Sequence, residues 1–286
     1  FRSVDRPTWI AVNADSMSAM LDPVVARISA RQKQAPGPVA QAIGSKVTGA
    51  EAGGLLAFLS TKVLGQYDLA PGGTPSLLLV APNLVHTERE LGVDPTDFRF
   101  WVCLHEETHR VQFTAVPWLR DHVVQRAQAL ASDMVPDVDS VRTRLEQLAK
   151  ELPRAFRGDG AGLTDVFATP EQRAEMAELT AVISLLEGHA DVVMDDVGPE
   201  HVPSVEEIRR KFDVRRQGAG SVDRVLRRLL GLEAKMRQYR DGAAFVRGVQ
   251  ERVGVEGFNA IWTSPDTLPR AAEITDPGAW VRRVHG

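Results

Sequence analysis

Cysteine is almost missing: Cys103 is the only one in 286 residues. No disulfide can close within the chain, so nothing here asks for an oxidising compartment. Cys103 sits inside an apolar helical pattern and reads as a small core residue rather than a nucleophile. Charge of one sign is also scarce. A net −4 at pH 7 gives no electrostatic case for nucleic acid or an anionic membrane surface. Basic clusters such as "RRKFDVRR", 209–216, are mixed with acids and read as solvated helix faces. No apolar run approaches the length that spans a bilayer. Repeats and low-complexity segments are lacking as well. The first residue is Phe1 rather than methionine, and the expectation is a processed N-terminus. The remaining expectation is a cytoplasmic globular protein with no nucleic-acid and no membrane partner. Apolar residues are plentiful at 43%, enough for a large core.

Hydrophobic spacing predicts helix over 7–32, followed by a connection over 33–46 that holds Pro36, Gly37 and Pro38. The small residues Gly49, Ala50, Ala52, Gly53 and Gly54 suit a helix packed closely against another backbone. "SLLLVAP", 76–82, is short, apolar and bounded by turn residues, which predicts a strand. "GQYDLA" before it is placed to pair antiparallel with it. Asp94, Pro95 and Asp97 form a strong helix start, as N-cap, first helical residue and first-turn acid. Further helices are expected over 117–132, 138–156, 170–195, 204–217, 221–230, 232–253 and 255–262. "DVGPEHVPS" reads as a loop, and a short helix follows Pro277. The fold class is mainly α (α+β), with a small antiparallel sheet just before the Asp94 helix. The chain reads as one unit over 1–286. A subdivision would separate N-terminal helices and sheet, 1–93, from a helical region, 94–286.

The Asp94 helix carries "HEETH": His105, Glu106 and His109. Residues i and i+4 share a helix face, so two imidazoles can grip one metal ion. Glu106 lies beside the first of them and can take a proton from an attacking water. Zinc lowers the pKa of a water it coordinates to about 7, which suits hydrolysis at neutral pH. Phe100, Trp101, Val102, Leu104, Val111 and Phe113 are expected to bury this helix. Catalytic zinc usually has three protein ligands. The extension H-E-x-x-H-x-x-G-x-x-H is missing, because Gln112 and Ala115 stand where it needs glycine and histidine.

A third ligand is available in "LLEGHADVVMD", 185–195. Glu187 and Asp191 are one turn apart and share a face. Glu187 can bind the metal, and Asp191 can accept a hydrogen bond from a ligand imidazole's outer nitrogen. Gly188 lets a facing helix come close. His189 is the rival ligand. A two-residue step rotates a helical side chain by about 200°, so Glu187 and His189 cannot both face the metal. A donor to the developing oxyanion is also needed. Tyr239, Arg237, Arg240 and His201 are the candidates, with Tyr239 also readable as an ordinary core residue.

"HEETH" followed by "EGHAD" resembles the gluzincin pattern, in which H-E-x-x-H precedes a helix bearing E-G-x-A. That resemblance implies that Glu187 is the zinc ligand. The long separation of His109 and Glu187 implies helices inserted between them. "LLEGHADVVMDDVGP", "VPSVEEIRRKFDVRR", "KMRQYRDGAAFVRGV" and "GFNAIWTSPDTLP" extend the likeness over nearly the whole chain. Together they resemble a bacterial family of zincin-like metallopeptidases of unknown function. Some of its members are associated with biosynthesis of a deazaflavin cofactor, but nothing in these residues supports cofactor synthesis. The resemblance implies a zincin-like fold with Zn2+ as cofactor. The expected reaction is hydrolysis of a peptide or related amide bond, with a peptide or protein as substrate. The alternative is a protein that keeps the fold and a metal and binds without cutting.

Overall fold

The computed structural model describes residues 1–31, 52–133, 168–217 and 232–286. Side chains are described for all of these except 27–31, 216–217 and 232–240. The expected connection over 33–46 and the helices over 138–156 and 221–230 lie outside the described residues. So does the side chain of Tyr239. The chain forms two compact units, 1–120 with 193–217, and 121–192 with 218–286.

The first unit is built on a three-stranded sheet. Its strands are β1 (Arg2–Val4), β2 (Gly65–Asp68) and β3 (Ser76–Val80). The order is β1-β3-β2, which leaves β2 on an edge. β2 pairs antiparallel with β3, setting Gly65 opposite Leu79 and Tyr67 opposite Leu77. β1 adds a parallel partner that sequence patterning did not reveal, with Val4 opposite Val80. The apolar run of β3 follows from this central place, where Leu77, Leu78 and Val80 are buried.

Helix α1 (Arg6–Arg31) packs against the sheet through Trp9, which joins Val4, Leu56, Leu78 and Val80 in one cluster. The indole N–H of Trp9 donates to Gln66 Oε1 at 2.7 Å, and Ser16 Oγ donates to Asp68 Oδ1 at 2.9 Å. These bonds tie α1 to the edge strand. Residues 52–60 form helix α2. The end of β3 runs straight into helix α3 (Ala81–Leu91), with a proline in its first turn.

Helix α4 (Pro95–Ala115) begins as expected. The Asp94 side chain accepts from the amides of Thr96 and Asp97, each at 2.9 Å. Asp97 also accepts from Ser204 N and Oγ, at 2.9 and 2.6 Å, which holds the start of helix α7 (Val205–Gln217). Phe98, Trp101 and Val102 of α4 share a buried cluster with Leu84, Met194, Val202, Val205 and Ile208. The expected core face of α4 needs one correction. Phe100 and Val111 are 45% and 47% exposed, while Phe98, not counted in that face, is fully buried.

In the second unit, helix α5 (Leu119–Asp133) begins slightly later than expected, in a helix whose first two residues lie in the first unit. Helix α6 (Pro170–His201) runs through both units. It continues through "DVGPEH", against the loop expected there. Pro199 falls in its last turn, where it removes the N–H that would bond to the carbonyl of Asp195, and the helix ends two residues later. That turn still closes through Val202 N to Gly198 O at 2.7 Å, and Val202 and Val205 are buried beside it.

Helix α8 (Leu232–Phe258) contains a break at Gly254, where φ 72° and ψ 176° suit glycine alone. This break separates the two helical stretches read from sequence. α6 and α8 cross at paired glycines. A Cβ on Gly188 would run into the Gly242 backbone, and one on Gly242 would run into the Ser184 carbonyl. Helix α9 (Pro277–His285) closes the unit. Its Trp280 is fully buried and donates to Thr267 O at 2.8 Å. Among the described residues no helix is long and apolar enough to cross a membrane.

Candidate metal centre

Helical spacing places His105 and His109 one turn apart on α4, and their rings meet edge to face with centroids 4.7 Å apart. The two Nε2 atoms lie 3.2 Å from each other. Two bonds of about 2.0–2.1 Å from one tetrahedral zinc require nitrogens roughly 3.3 Å apart, so this pair fits the ion. The outer nitrogens have different neighbours. His109 Nδ1 is 2.9 Å from Gln112 Oε1, and Gln112 is only 4% exposed. His105 Nδ1 is 3.2 Å from the sulfur of Met194, which is fully buried.

Glu106 turns away from solvent, with 6% of its surface exposed. It lies against the edge strand. A Cβ on Gly65 would stand 2.5 Å from its Cγ and 2.6 Å from its Oε1. Two residues along β2, on the same face of the strand, Tyr67 stacks on Phe113 with centroids 5.9 Å apart. Burial pushes the Tyr67 phenol up, against the pull of Arg110 and Arg120, so it stays protonated near neutral pH. Glu107 does not share this setting. It forms an ion pair with Arg110, Nε to Oε1 at 2.8 Å, and that bond holds its carboxyl below the usual range. Burial, then the charges of Glu106 and Glu107, push the Cys103 thiol up, which fits a core residue and not a nucleophile.

Met194 lies two turns beyond Glu187 on α6, on the same helix face. Glu187, the carboxylate expected from sequence to complete a set with His105 and His109, lies on α6. Two imidazoles and one carboxylate are a donor set suited to zinc. His189 is engaged within its own unit. Its ring stacks on Phe258 at 5.5 Å and meets Trp262 edge-on at 5.4 Å. Leu185, Leu186, Ala190 and Val192 are buried around this stretch, as its apolar pattern implied. Asp191 is partly buried, one turn from Glu187. His201 is exposed at the end of α6. The side chains of Tyr239, Arg237 and Arg240 lie outside the described residues.

Gln112, Met194 and Gly65 did not stand out as site residues in the sequence. Gln112 drew notice only as a missing glycine. A glutamine one turn after the second histidine of H-E-x-x-H was the available signal, and it is a weak one.

A family model described as a zincin-like metallopeptidase matches residues 1–281. The chain is also similar to a solved structure from Chloroflexus aurantiacus, a candidate hydrolase with a novel fold. The two are 32% identical, the likeness covers 99% of this chain and 79% of that one, and the TM-score is 0.66. No curated protein matches.

Proposed function

The chain belongs to the zincin-like metallopeptidase family, and from that premise we propose that it is a zinc-dependent hydrolase of peptide or related amide bonds. The observation that carries the proposal is the facing Nε2 pair of His105 and His109, 3.2 Å apart on the helix that also bears Glu106. Glu187 is proposed as the third ligand. Zinc held there would supply Lewis acidity, acidifying a water and polarising the scissile carbonyl.

The protein's own part in the reaction falls to Glu106. Its carboxylate takes a proton from the attacking water as the water oxygen bonds to the carbonyl carbon. The same proton then passes to the amide nitrogen as the C–N bond breaks, leaving a carboxylic acid and an amine. Burial against β2 keeps the carboxylate from turning out to solvent. Asp191 is proposed to support the ligands from the Glu187 face of α6. Tyr239 is proposed as the donor to the developing oxyanion. A peptide or protein is the proposed substrate, and the cytoplasm the proposed location.

Glu106→Gln tests this reading. The amide cannot accept the proton, so cleavage of a peptide library should fall by ~10²–10⁴-fold. Zinc binding should be retained. Undiminished cleavage by a zinc-loaded variant would remove Glu106 from the chemistry. A zinc-loaded wild type that cleaves nothing would favour a binding protein with the same fold.

A further inference from the structure

We infer that Gln112 is a positioning residue that holds His109 in the tautomer a metal ion requires. The inference rests on the zinc reading above. An imidazole that gives its Nε2 lone pair to a metal carries its proton on Nδ1, and that proton needs an acceptor.

Gln112 Oε1 stands 2.9 Å from His109 Nδ1. When it accepts from Nδ1–H, the lone pair of His109 is left on Nε2. That atom faces His105 Nε2 at 3.2 Å, where the ion would sit. The pair lies within one helix at i and i+3, so α4 alone sets its geometry. The bond is shielded from water, since Gln112 is 4% exposed. A buried polar side chain needs partners, and here a ligand ring supplies one.

An amide differs from a carboxylate in this role. It orients the ring without adding negative charge beside the ion. His105 differs again, because its Nδ1 meets a thioether sulfur, a weak acceptor. If Gln112 merely filled space, its removal would alter the stability of the metal-free protein and leave zinc affinity alone.

The test is a competition titration of zinc between a chromophoric chelator and the full chain, run on wild type, Gln112→Leu and Gln112→Glu. Thermal unfolding of each chelator-stripped protein runs beside it. The leucine variant should bind zinc ~10–100-fold more weakly, as expected when a ligand's outer partner is lost. The glutamate variant keeps an acceptor oxygen, so it should come within a few-fold of wild type or exceed it. Leucine binding within twofold of wild type would overturn the inference, and so would a glutamate variant as weak as leucine.

Nitrogen NMR of the chelator-stripped wild type gives a readout that needs no variant. His109 should carry its proton on Nδ1, and a proton on Nε2 alone would overturn the assignment. A wild type that takes up no zinc sinks the proposed function itself. Zinc-binding wild type with an unaffected leucine variant sinks only the role of Gln112.

Discussion

Gly65 sets the position of Glu106 by having no side chain. A methyl group there would overlap the Glu106 Cγ, Cδ and Oε1 positions, all within 2.5–2.7 Å. The carboxylate would have to move, and a shift near 1 Å in a reacting group can cost about 10²-fold in rate. The His105 and His109 imidazoles do not depend on that space. Gly65→Ala should therefore keep zinc affinity within a few-fold and lower kcat by at least about tenfold. Parallel chelator titration and steady-state kinetics check this, and an unchanged kcat would show that the close approach has no catalytic meaning. At this scale the sequence was legible where one helix carries the pattern. His105, Glu106 and His109 follow from spacing alone. Gly65 lies 41 residues before Glu106, and nothing local marks the contact that tertiary packing creates. Met194 meets His105 for the same reason. Helix rotation separates Glu187 from His189, and the His189 ring packs on Phe258 and Trp262, while Glu187 stands as the proposed ligand.

At the level of elements, the crossing of α6 and α8 depends on Gly188 and Gly242. Gly242→Ala brings two opposed effects. Alanine favours the helix by about 1 kcal/mol. Its methyl, however, would strike the Ser184 carbonyl, and main chain inside a helix cannot step aside as a side chain does. Overpacking of this kind costs about 1–3 kcal/mol, at times more. The net prediction is destabilisation, read as a lower midpoint in denaturant melts. A neutral or stabilised variant would mean that the helices are not held this close.

The second unit also contains a pH-sensitive tie. Burial alone would raise the Glu273 carboxyl. The Arg283 guanidinium, the Arg270 amide and their charges outweigh it and hold the group below its ordinary value. Arg283 meets Glu273 through Nε at 2.6 Å and Nη2 at 2.7 Å. A depressed native pKa means the stabilisation is complete above the unfolded value, about 4.3, and is lost as pH falls through the native one. Glu273→Gln should cost about 1.5–3 kcal/mol at pH 7, with the gap from wild type closing in acid below pH ~4. A gap that does not change with pH would contradict it.

Helix starts were the most legible elements, because Asp94 and Pro170 act through their own neighbours in sequence. Helix α3 was not recognised, since its eleven residues follow a strand without a polar cap. The extension of α6 through Pro199 was hidden because buried Val202 and Val205 outweigh the proline's local preference.

For the whole molecule, the sequence supported a mainly helical fold with a small sheet, and an H-E-x-x-H helix on which a metal can be held. The parallel strand β1 escaped it, since three residues, Arg2–Val4, are too few to show a period. The central claim is that His105, His109 and Glu187 hold one zinc ion and that His189 does not. The most direct measurement is a zinc competition titration of wild type, Glu187→Ala and His189→Ala against one chelator. The account predicts about one zinc per wild-type chain, strongly weakened binding in Glu187→Ala, and nearly wild-type affinity in His189→Ala. Reversal of the last two, or a wild type that takes up no zinc, would contradict it.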